Sequence, residues 1–405
     1  MRGKFSKVSA AVLSGALSVA GFAAVSASSA GAANLNTYTI AYQGPLTGGA
    51  AQLGLNMKFS VQLAINQFNA NPNRPFNLAF SSADDQGDPT LAPTAAQALA
   101  ADPQLVAVVG PAFSGATIAS IPIYGPSNIP MVSPSATRVS ITIGSGDTPA
   151  YNAQYHNFFR VVANDGVQGP ANADYVVKKL KLKKLTVIDD ASTYGSGLAS
   201  AFAAQAKKDG ATVKTLSEPE TAGCSSSGTG ADSQYQTISL PAGTQMVFYG
   251  GYYCDFAKLT DALRTSGYKG GLMSGDGALD PQYIAGLAKK SNGLGALLTC
   301  ACSTVGGAAG DRFNSNFASL AGFPAGTYSA EAYDATNTII AAMKKVSGPI
   351  TAAAVLLQLK TITFKGLTKT VKFNGAGDVS GSAIYVNKVV KNSKGVYSIQ
   401  QLGLE

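Results

Sequence analysis

Residues 105–117, LVAVVGPAFSGAT, run from an apolar stretch through a short polar loop into a helix-like segment. The apolar part, residues 105–109, is short and rich in valine, as expected of a strand that is buried in a parallel sheet. The same order recurs when residues 129–132 (IPMV) lead into the polar loop at residues 133–137 (SPSAT). Because loops at the carboxyl ends of neighbouring parallel strands face one crevice, both loops are predicted to face one ligand site.

Strand-like runs alternate with longer helix-like runs on both sides of this stretch. The alternation predicts an α/β fold with two doubly wound parallel-sheet lobes, because the pattern restarts after residue 184. Predicted strands cover residues 37–42, 76–81, 105–109, 130–133, 185–188, 213–216, 246–249 and 271–273, with short strands near the C-terminus. Predicted helices cover residues 53–68, 92–101, 114–124, 194–206, 256–265, 328–346 and 351–360. Residues 136–157 and 222–233 are predicted to be loops.

The N-terminus is typical of a secretory signal peptide, here residues 1–33. Three basic residues precede an apolar run at 8–25, and Ala30-Gly31-Ala32 gives a small-x-small cleavage pattern. An uncleaved membrane anchor is the alternative. The apolar run contains no cysteine, so lipid attachment there is not indicated, and the mature protein is expected to be exported.

The charge of the chain gives little indication of a macromolecular partner. Removing the signal peptide lowers the formal charge from +8 to +5. No arginine-rich stripe with interleaved aromatic residues supports nucleic-acid binding. The lysines at 178–184 are better explained as a solvated helix end, and we expect a monomer.

Four cysteines, Cys224, Cys254, Cys300 and Cys302, favour disulfides in an exported protein, and three pairings are possible. Pairing of Cys224 with Cys254 is favoured because both follow predicted strand ends. Pairing of Cys300 with Cys302 would close a very tight ring. Zinc binding is disfavoured because the spacing fits no paired CxxC pattern and His156 is the only histidine.

The polar loops carry the groups that a free amino acid requires. Its carboxylate needs donors, which the hydroxyls of Ser114 and Thr137 and the amides of Gly115 and Ala116 can supply at a helix N-terminus. Its ammonium needs acceptors, and Asp276 in the loop Ser274-Gly275-Asp276-Gly277 can supply a charge-assisted bond. These residues indicate a binder of a zwitterion, with no catalytic residue, metal or cofactor.

Several short motifs, in order and at family-like spacing, resemble the type I periplasmic binding proteins. The resemblance is to the branched-chain amino-acid (leucine/isoleucine/valine) binding group of ABC transporters, and it runs through nearly the whole mature chain. The motifs are YQGPLTG at 42–48, DDQGDP at 84–89, the two polar loops, Arg160 with Asp165 and Gln168-Gly169, residues 190–195, YGGY at 249–252, GDG at 275–277 and YDA at 333–335.

The resemblance implies a role for each matching residue. Ser114 resembles the serine that bonds the ligand carboxylate, and Asp276 the acidic residue, usually glutamate, that pairs with the ammonium. Two positions depart from the family pattern: Leu53 stands where an aromatic often sits, and Phe113 replaces a cysteine of some members. The predicted ligand-binding residues are Ser114, Gly115, Ala116, Ser135, Ala136, Thr137, Tyr194, Tyr252, Asp276 and Tyr328, the tyrosines closing over the ligand or contacting its side chain.

The family fold also implies that the chain crosses three times between the lobes, near Ala163, Ser303 and Phe373. Lobe 1 would then comprise residues 34–163 and 303–372, and lobe 2 residues 164–302 and 373–405. Composition and periodicity do not indicate these crossings. By themselves they would divide the chain once.

Each candidate also has a structural interpretation. Ser114 could cap its helix, Asp276 could form an Asp-Gly turn, and the acidic residues of DDQGDP are better explained as a surface turn and helix cap than as a metal site. Ser135 and Thr137 could be turn residues, and Tyr194 and Tyr252 packing residues. The glycines at 44, 48, 49 and 54 do not follow GxGxxG, so the sequence gives only weak evidence for dinucleotide binding.

The function that these observations favour is an extracytoplasmic solute-binding protein that delivers an amino acid to an ABC permease. The alternatives are a ligand sensor for a membrane receptor and a binder of a small amide, urea-like compound or carboxylate. A secreted serine hydrolase is disfavoured, because Ser196 does not lie in a GxSxG elbow and a triad would have to recruit His156.

Overall fold

The computed structural model describes residues 35–225, 228–302, 305–381 and 383–404. The predicted signal peptide and the predicted crossing at Ser303 lie outside these residues. Within them, no helix combines the length and the apolar character needed to cross a membrane.

The N-terminal part of the described chain forms a five-stranded parallel sheet. Its strands are β1 (Thr37–Gly44), β2 (Asn77–Asp84), β3 (Leu105–Val109), β4 (Met131–Ser133) and β5 (Phe158–Arg160), in the order β2-β1-β3-β4-β5. Helices α1 (Ala51–Ala70), α2 (Ala92–Ala100) and α3 (Ser114–Tyr124) connect the first four strands. We call this sheet with its helices the first lobe.

The middle of the chain repeats this arrangement. Its elements are α4 (Asp165–Asp174), which continues as a π-helical turn to Lys179, β6 (Lys184–Asp189), α5 (Thr193–Lys208), β7 (Thr212–Ser217), β8 (Met246–Gly250), α6 (Tyr253–Thr265), β9 (Gly271–Ser274), α7 (Pro281–Gly286) and β10 (Leu297–Cys300). Strands β6 to β10 pair in parallel, and together with their helices they form the second lobe.

The C-terminal part adds to both lobes. Its elements are α8 (Gly307–Ala321), α9 (Ser329–Lys344), α10 (Ala352–Leu359), β11 (Thr363–Lys365), β12 (Thr370–Lys372), β13 (Tyr385–Lys391) and β14 (Tyr397–Leu404). Helix α9 packs on α1 and on strands β3 and β4, whereas β13 and β14 extend the second sheet to the order β14-β13-β10-β9-β8-β6-β7. Since β13 pairs with β10 in antiparallel fashion, the second sheet is not purely parallel as predicted.

Both sheets share one feature that positions a binding site. The strand order changes direction between β1 and β3 in the first sheet and between β6 and β8 in the second. Ligands of open α/β sheets bind at the carboxyl ends of the strands beside such a reversal. The loops after β3, β4, β6, β8 and β9 carry most of the predicted ligand-binding residues.

The described cysteines form two pairs. The sulfur atoms of Cys224 and Cys254 lie 1.98 Å apart, as the sequence favoured, and those of Cys300 and Cys302 lie 1.93 Å apart. The first pair joins the loop after β7 to the first turn of α6. The predicted boundaries at Ala163 and Phe373 stay predictions.

Candidate functional site

One small cavity is lined by residues from both lobes. Leu53, Phe113, Ser114, Ser135, Tyr194, Tyr252, Asp276, Gly277 and Tyr328 line it, so six of the ten predicted residues meet at one place. The space open to the centre of a water molecule is about 10 Å³, which is about one water. Of the other predicted residues, Gly115 lines a larger neighbouring space, whereas Ala116, Ala136 and Thr137 are fully buried and do not line the cavity.

Asp276 is buried in the loop that follows β9, and two tyrosine hydroxyls bind its carboxylate. Tyr194 donates to Oδ1 at 2.9 Å and Tyr328 donates to Oδ2 at 2.5 Å. The amide of Gly277 donates to the Tyr194 hydroxyl at 3.0 Å. Burial raises the pKa of Asp276, and the two hydroxyls act in the opposite direction. Its burial and these side-chain partners distinguish Asp276 from an exposed Asp-Gly turn.

The hydroxyl groups of the two polar loops join the loops to each other. The Ser114 Oγ accepts a hydrogen bond from the Arg138 amide at 3.1 Å, and the Ser135 hydroxyl donates to the Ala112 carbonyl at 2.7 Å. Helix α3 begins at Ser114, and its N-cap residue is Phe113, so the interpretation of Ser114 as the helix cap is wrong. The amides of the first helical turn have no partner within the helix, which suits this turn to an anion.

Asp165, at the start of α4, is a second acidic residue near the cavity. Its side chain is fully buried, and neither carboxylate oxygen has a hydrogen-bond partner among the described residues. The pKa of Asp165 is raised to about 7, chiefly by burial and then by the nearby Asp276 carboxylate. Asp165 belongs to a motif noted in the sequence, but no role in the site was predicted for it. The sequence signal that could have indicated such a role is the run of polar residues that begins a helix directly after a short apolar stretch, within residues 160–168.

Arg160 positions the second polar loop through hydrogen bonds to its backbone. Its guanidinium is fully buried, with Nε 2.6 Å from Asp378 Oδ1. One terminal nitrogen donates to the carbonyl oxygens of Ala136 and Arg138 at 2.8 and 2.9 Å. The Arg160–Asp378 ion pair therefore fixes the backbone of this loop. The Ala136 carbonyl oxygen already accepts a hydrogen bond from Arg160.

One aromatic contact joins the lobes at the cavity. The ring of Tyr252 in the second lobe stacks on Phe113 of the first with a centroid distance of 4.5 Å, and Tyr194, also of the second lobe, lies 5.2 Å from Tyr252. Arg138 of the first lobe also donates to the Thr193 carbonyl of the second at 2.9 Å. These contacts hold the lobes in a closed arrangement.

Local backbone features place the tyrosines. Ser192 caps α5 by accepting from the Gly195 amide at 2.9 Å, which fixes the first turn that carries Tyr194. Tyr328 is a buried residue with φ of 67°, in the left-handed region that non-glycine residues adopt at a cost of about 1–3 kcal/mol. This conformation lets α9 begin directly behind the hydroxyl that binds Asp276.

The acidic motif at 84–89 forms a turn. Asp88 Oδ1 accepts from the Thr90 amide at 2.7 Å, and Asp85 accepts from the Gly87 amide at 2.9 Å. Asp85 is buried rather than at the surface, and burial raises its pKa to about 6. In the described ranges no three His, Cys, Asp or Glu side chains are grouped to hold a metal ion.

Ser196 is the candidate nucleophile of the hydrolase alternative, and its hydroxyl is engaged in hydrogen bonds that stabilise the fold. Its hydroxyl donates to the Ser192 carbonyl at 2.7 Å and accepts from Arg138 at 3.3 Å. These bonds belong to the first turn of α5 and to the contact between the lobes. They give the hydrolase hypothesis no support.

With this geometry established, comparison with known proteins identifies the family. A family model described as periplasmic binding protein matches residues 37–394. The chain belongs to the periplasmic binding protein family. The match covers both lobes and the loops that line the cavity, and it agrees with the resemblance found in the short motifs.

Among curated members of the family, the Leu/Ile/Val-binding protein homolog 3 of Brucella melitensis is 28% identical over 356 residues, 86% of this chain and 90% of that protein. The leucine-, isoleucine-, valine-, threonine- and alanine-binding protein of Pseudomonas aeruginosa is 27% identical over 374 residues, 90% of this chain and 91% of that protein. A crystal structure of the leucine-binding protein LivK from Thermotoga maritima has the same fold, with a TM-score of 0.77 at 22% identity, covering 91% of this chain and 98% of that one.

Proposed function

We propose that this periplasmic binding protein captures a small amino acid or related zwitterion between its lobes and delivers it to an ABC permease outside the cytoplasm. The observation that carries this proposal is that Asp276 of the second lobe and Ser114, at the start of α3 in the first, line the same cavity. The former suits an ammonium and the latter a carboxylate. The relatives from Brucella and Pseudomonas bear the names of amino-acid binders.

The proposed mechanism is ligand-driven closure. A ligand that contacts Asp276 and the start of α3 together gains both sets of bonds only when the lobes are closed. Since the closed cavity has room for about one water, the walls must separate to admit an amino acid. The bonds between the lobes, including that of Arg138 to Thr193, then re-form around it.

Isothermal titration calorimetry with a panel of amino acids, glycine amide, urea and benzoate tests the function. We expect amino acids to bind, and benzoate to bind poorly because it brings a second anion to a buried carboxylate. The Asp276→Asn variant keeps the shape of the side chain and removes its charge. It should lose about 2–5 kcal/mol of binding free energy for an amino acid, the typical loss when one partner of a buried charge pair is removed.

The matched control is Asp311→Asn, which removes the same charge from an exposed position on α8. This variant should bind as the parent does. Equal affinity of the Asp276→Asn variant and the parent for every amino acid that binds would refute the ammonium role of Asp276. Binding of benzoate in preference to all amino acids would refute the proposed ligand class.

A further inference from the structure

A second and larger space lies directly against the cavity. This chamber has a volume of about 320 Å³. Tyr194 and Tyr252 line both the chamber and the cavity, so their side chains form the partition between them. Gly115, the second residue of α3, also lines the chamber, which therefore adjoins the helix turn assigned to the ligand carboxylate.

The chamber is acidic. Asp190 and Glu220 both line it, and none of the described residues that line it is Lys, Arg or His. Asp190 is 1% exposed; its Oδ1 accepts from the Ser192 amide at 2.9 Å, and its Oδ2 has no hydrogen-bond partner among the described residues. Two carboxyl groups therefore border a partly enclosed space whose described lining includes no cationic side chain.

Burial makes the charged forms of these two carboxyl groups unfavourable unless a cation pairs with them. The pKa of Glu220 is raised to about 7, chiefly by burial, with Asp255 and Asp88 acting in the same direction. Burial also raises the pKa of Asp190 well above its usual range, with Glu220 as the largest charge contribution. An organic cation in the chamber would pair with these groups and relieve the cost of burying them.

We propose that the chamber is a distal subsite for the cationic end of a diamino acid whose α-amino and carboxylate groups occupy the cavity. This inference rests on the proposed function and specifies its substrate class. The cavity alone has no room for a long side chain, and the adjoining space lies behind Tyr252.

The shape of such a ligand suits two adjoining spaces. A lysine ammonium stands on a flexible four-carbon stem, so the two ends of the molecule can occupy different spaces. Displacement of the Tyr252 ring would join the two spaces and let the stem pass, while Glu220 receives the ammonium.

Calorimetry with two nearly isosteric ligands tests the subsite. L-Lysine and L-norleucine share the α-amino-acid group and a four-carbon stem, and only lysine has the distal ammonium. We expect lysine to bind at least about tenfold more tightly than norleucine, the lower end of the contribution of a hydrogen bond to a charged group. Glu220→Gln should lower lysine affinity at least about tenfold and leave norleucine affinity within about twofold. Asp311→Asn is the charge-matched control and should change neither.

The outcomes separate this proposal from the proposed function. If norleucine binds as tightly as lysine and Glu220→Gln affects neither, the subsite is refuted and amino-acid capture stands. If no amino acid binds, the proposed function is refuted; 1,5-diaminopentane then probes the chamber directly. Thermal stabilisation by this diamine that Glu220→Gln abolishes would support a cationic site, and its absence would refute the subsite as well.

Discussion

At the scale of single residues, the candidate site depends on carboxylates that are buried in different ways. Asp276 has two tyrosine donors, the carboxylate of Asp165 has no hydrogen-bond partner among the described residues, and Asp378 is paired with Arg160. Asp276 was predicted because it stands in a glycine-flanked loop after a strand. The role of Asp165 was not predicted, because its burial beside Asp276 arises only when α4 folds against α5 and β10.

The Arg160–Asp378 pair gives a prediction about stability. Asp378→Ala would leave a fully buried guanidinium without its counter-charge, and removal of one partner of such a pair costs about 3–5 kcal/mol. We expect this loss in the free energy of unfolding measured with denaturant. Asp311→Asn, on the surface of α8, should stay within about 0.5 kcal/mol of the parent. A similarly small loss for Asp378→Ala would show that the pair contributes little.

At the scale of secondary-structure elements, the sequence predicted those with a clear period and missed those with a weak one. Strand β3 and helix α3 were predicted with their observed bounds. Strand β5 has only three residues, and α4 contains two glycines and Pro170, which are unfavourable inside a helix. Helix α8 was also missed, although Phe313 and Phe317 have helical spacing and are buried. Tertiary packing stabilises these elements more than local propensity does.

Helix α5 connects element stability to the site. Ser192→Ala removes the cap at the Gly195 amide and should cost about 1 kcal/mol of unfolding free energy. Because Tyr194 lies in the capped turn, affinity for an amino acid should fall as well. Thr351→Ala removes the corresponding cap of α10 at the Ala354 amide, away from the cavity. We expect both variants to lose stability in denaturant unfolding and only Ser192→Ala to lose affinity in calorimetry. Equal affinities of Ser192→Ala and the parent would show that this helix cap does not contribute to ligand binding.

At the scale of the whole molecule, the two lobes enclose several carboxylates at one cleft. The pKa of Asp165 is raised to about 7, that of Glu220 to about 7, and that of Asp276 in the same direction, each chiefly by burial. In an unfolded chain these groups ionise near pH 4. The folded protein therefore keeps protons that the unfolded chain has already released, and its stability depends on pH.

For Asp165, the free energy of unfolding is expected to decrease as the pH rises. Its contribution to stability is fully present below about pH 4, where both states are protonated, and is lost as the pH rises through the folded-state pKa of about 7. Over this interval one retained proton lowers the free energy of unfolding by up to about 1.4 kcal/mol per pH unit. Asp165→Asn cannot ionise, so the decline in unfolding free energy between pH 5 and pH 7, measured with denaturant, should be shallower in this variant than in the parent. Asp311→Asn should retain the slope of the parent. Parallel curves for the parent and Asp165→Asn would mean that Asp165 ionises in the folded protein as readily as in the unfolded chain, and that the closed cleft does not hold its proton.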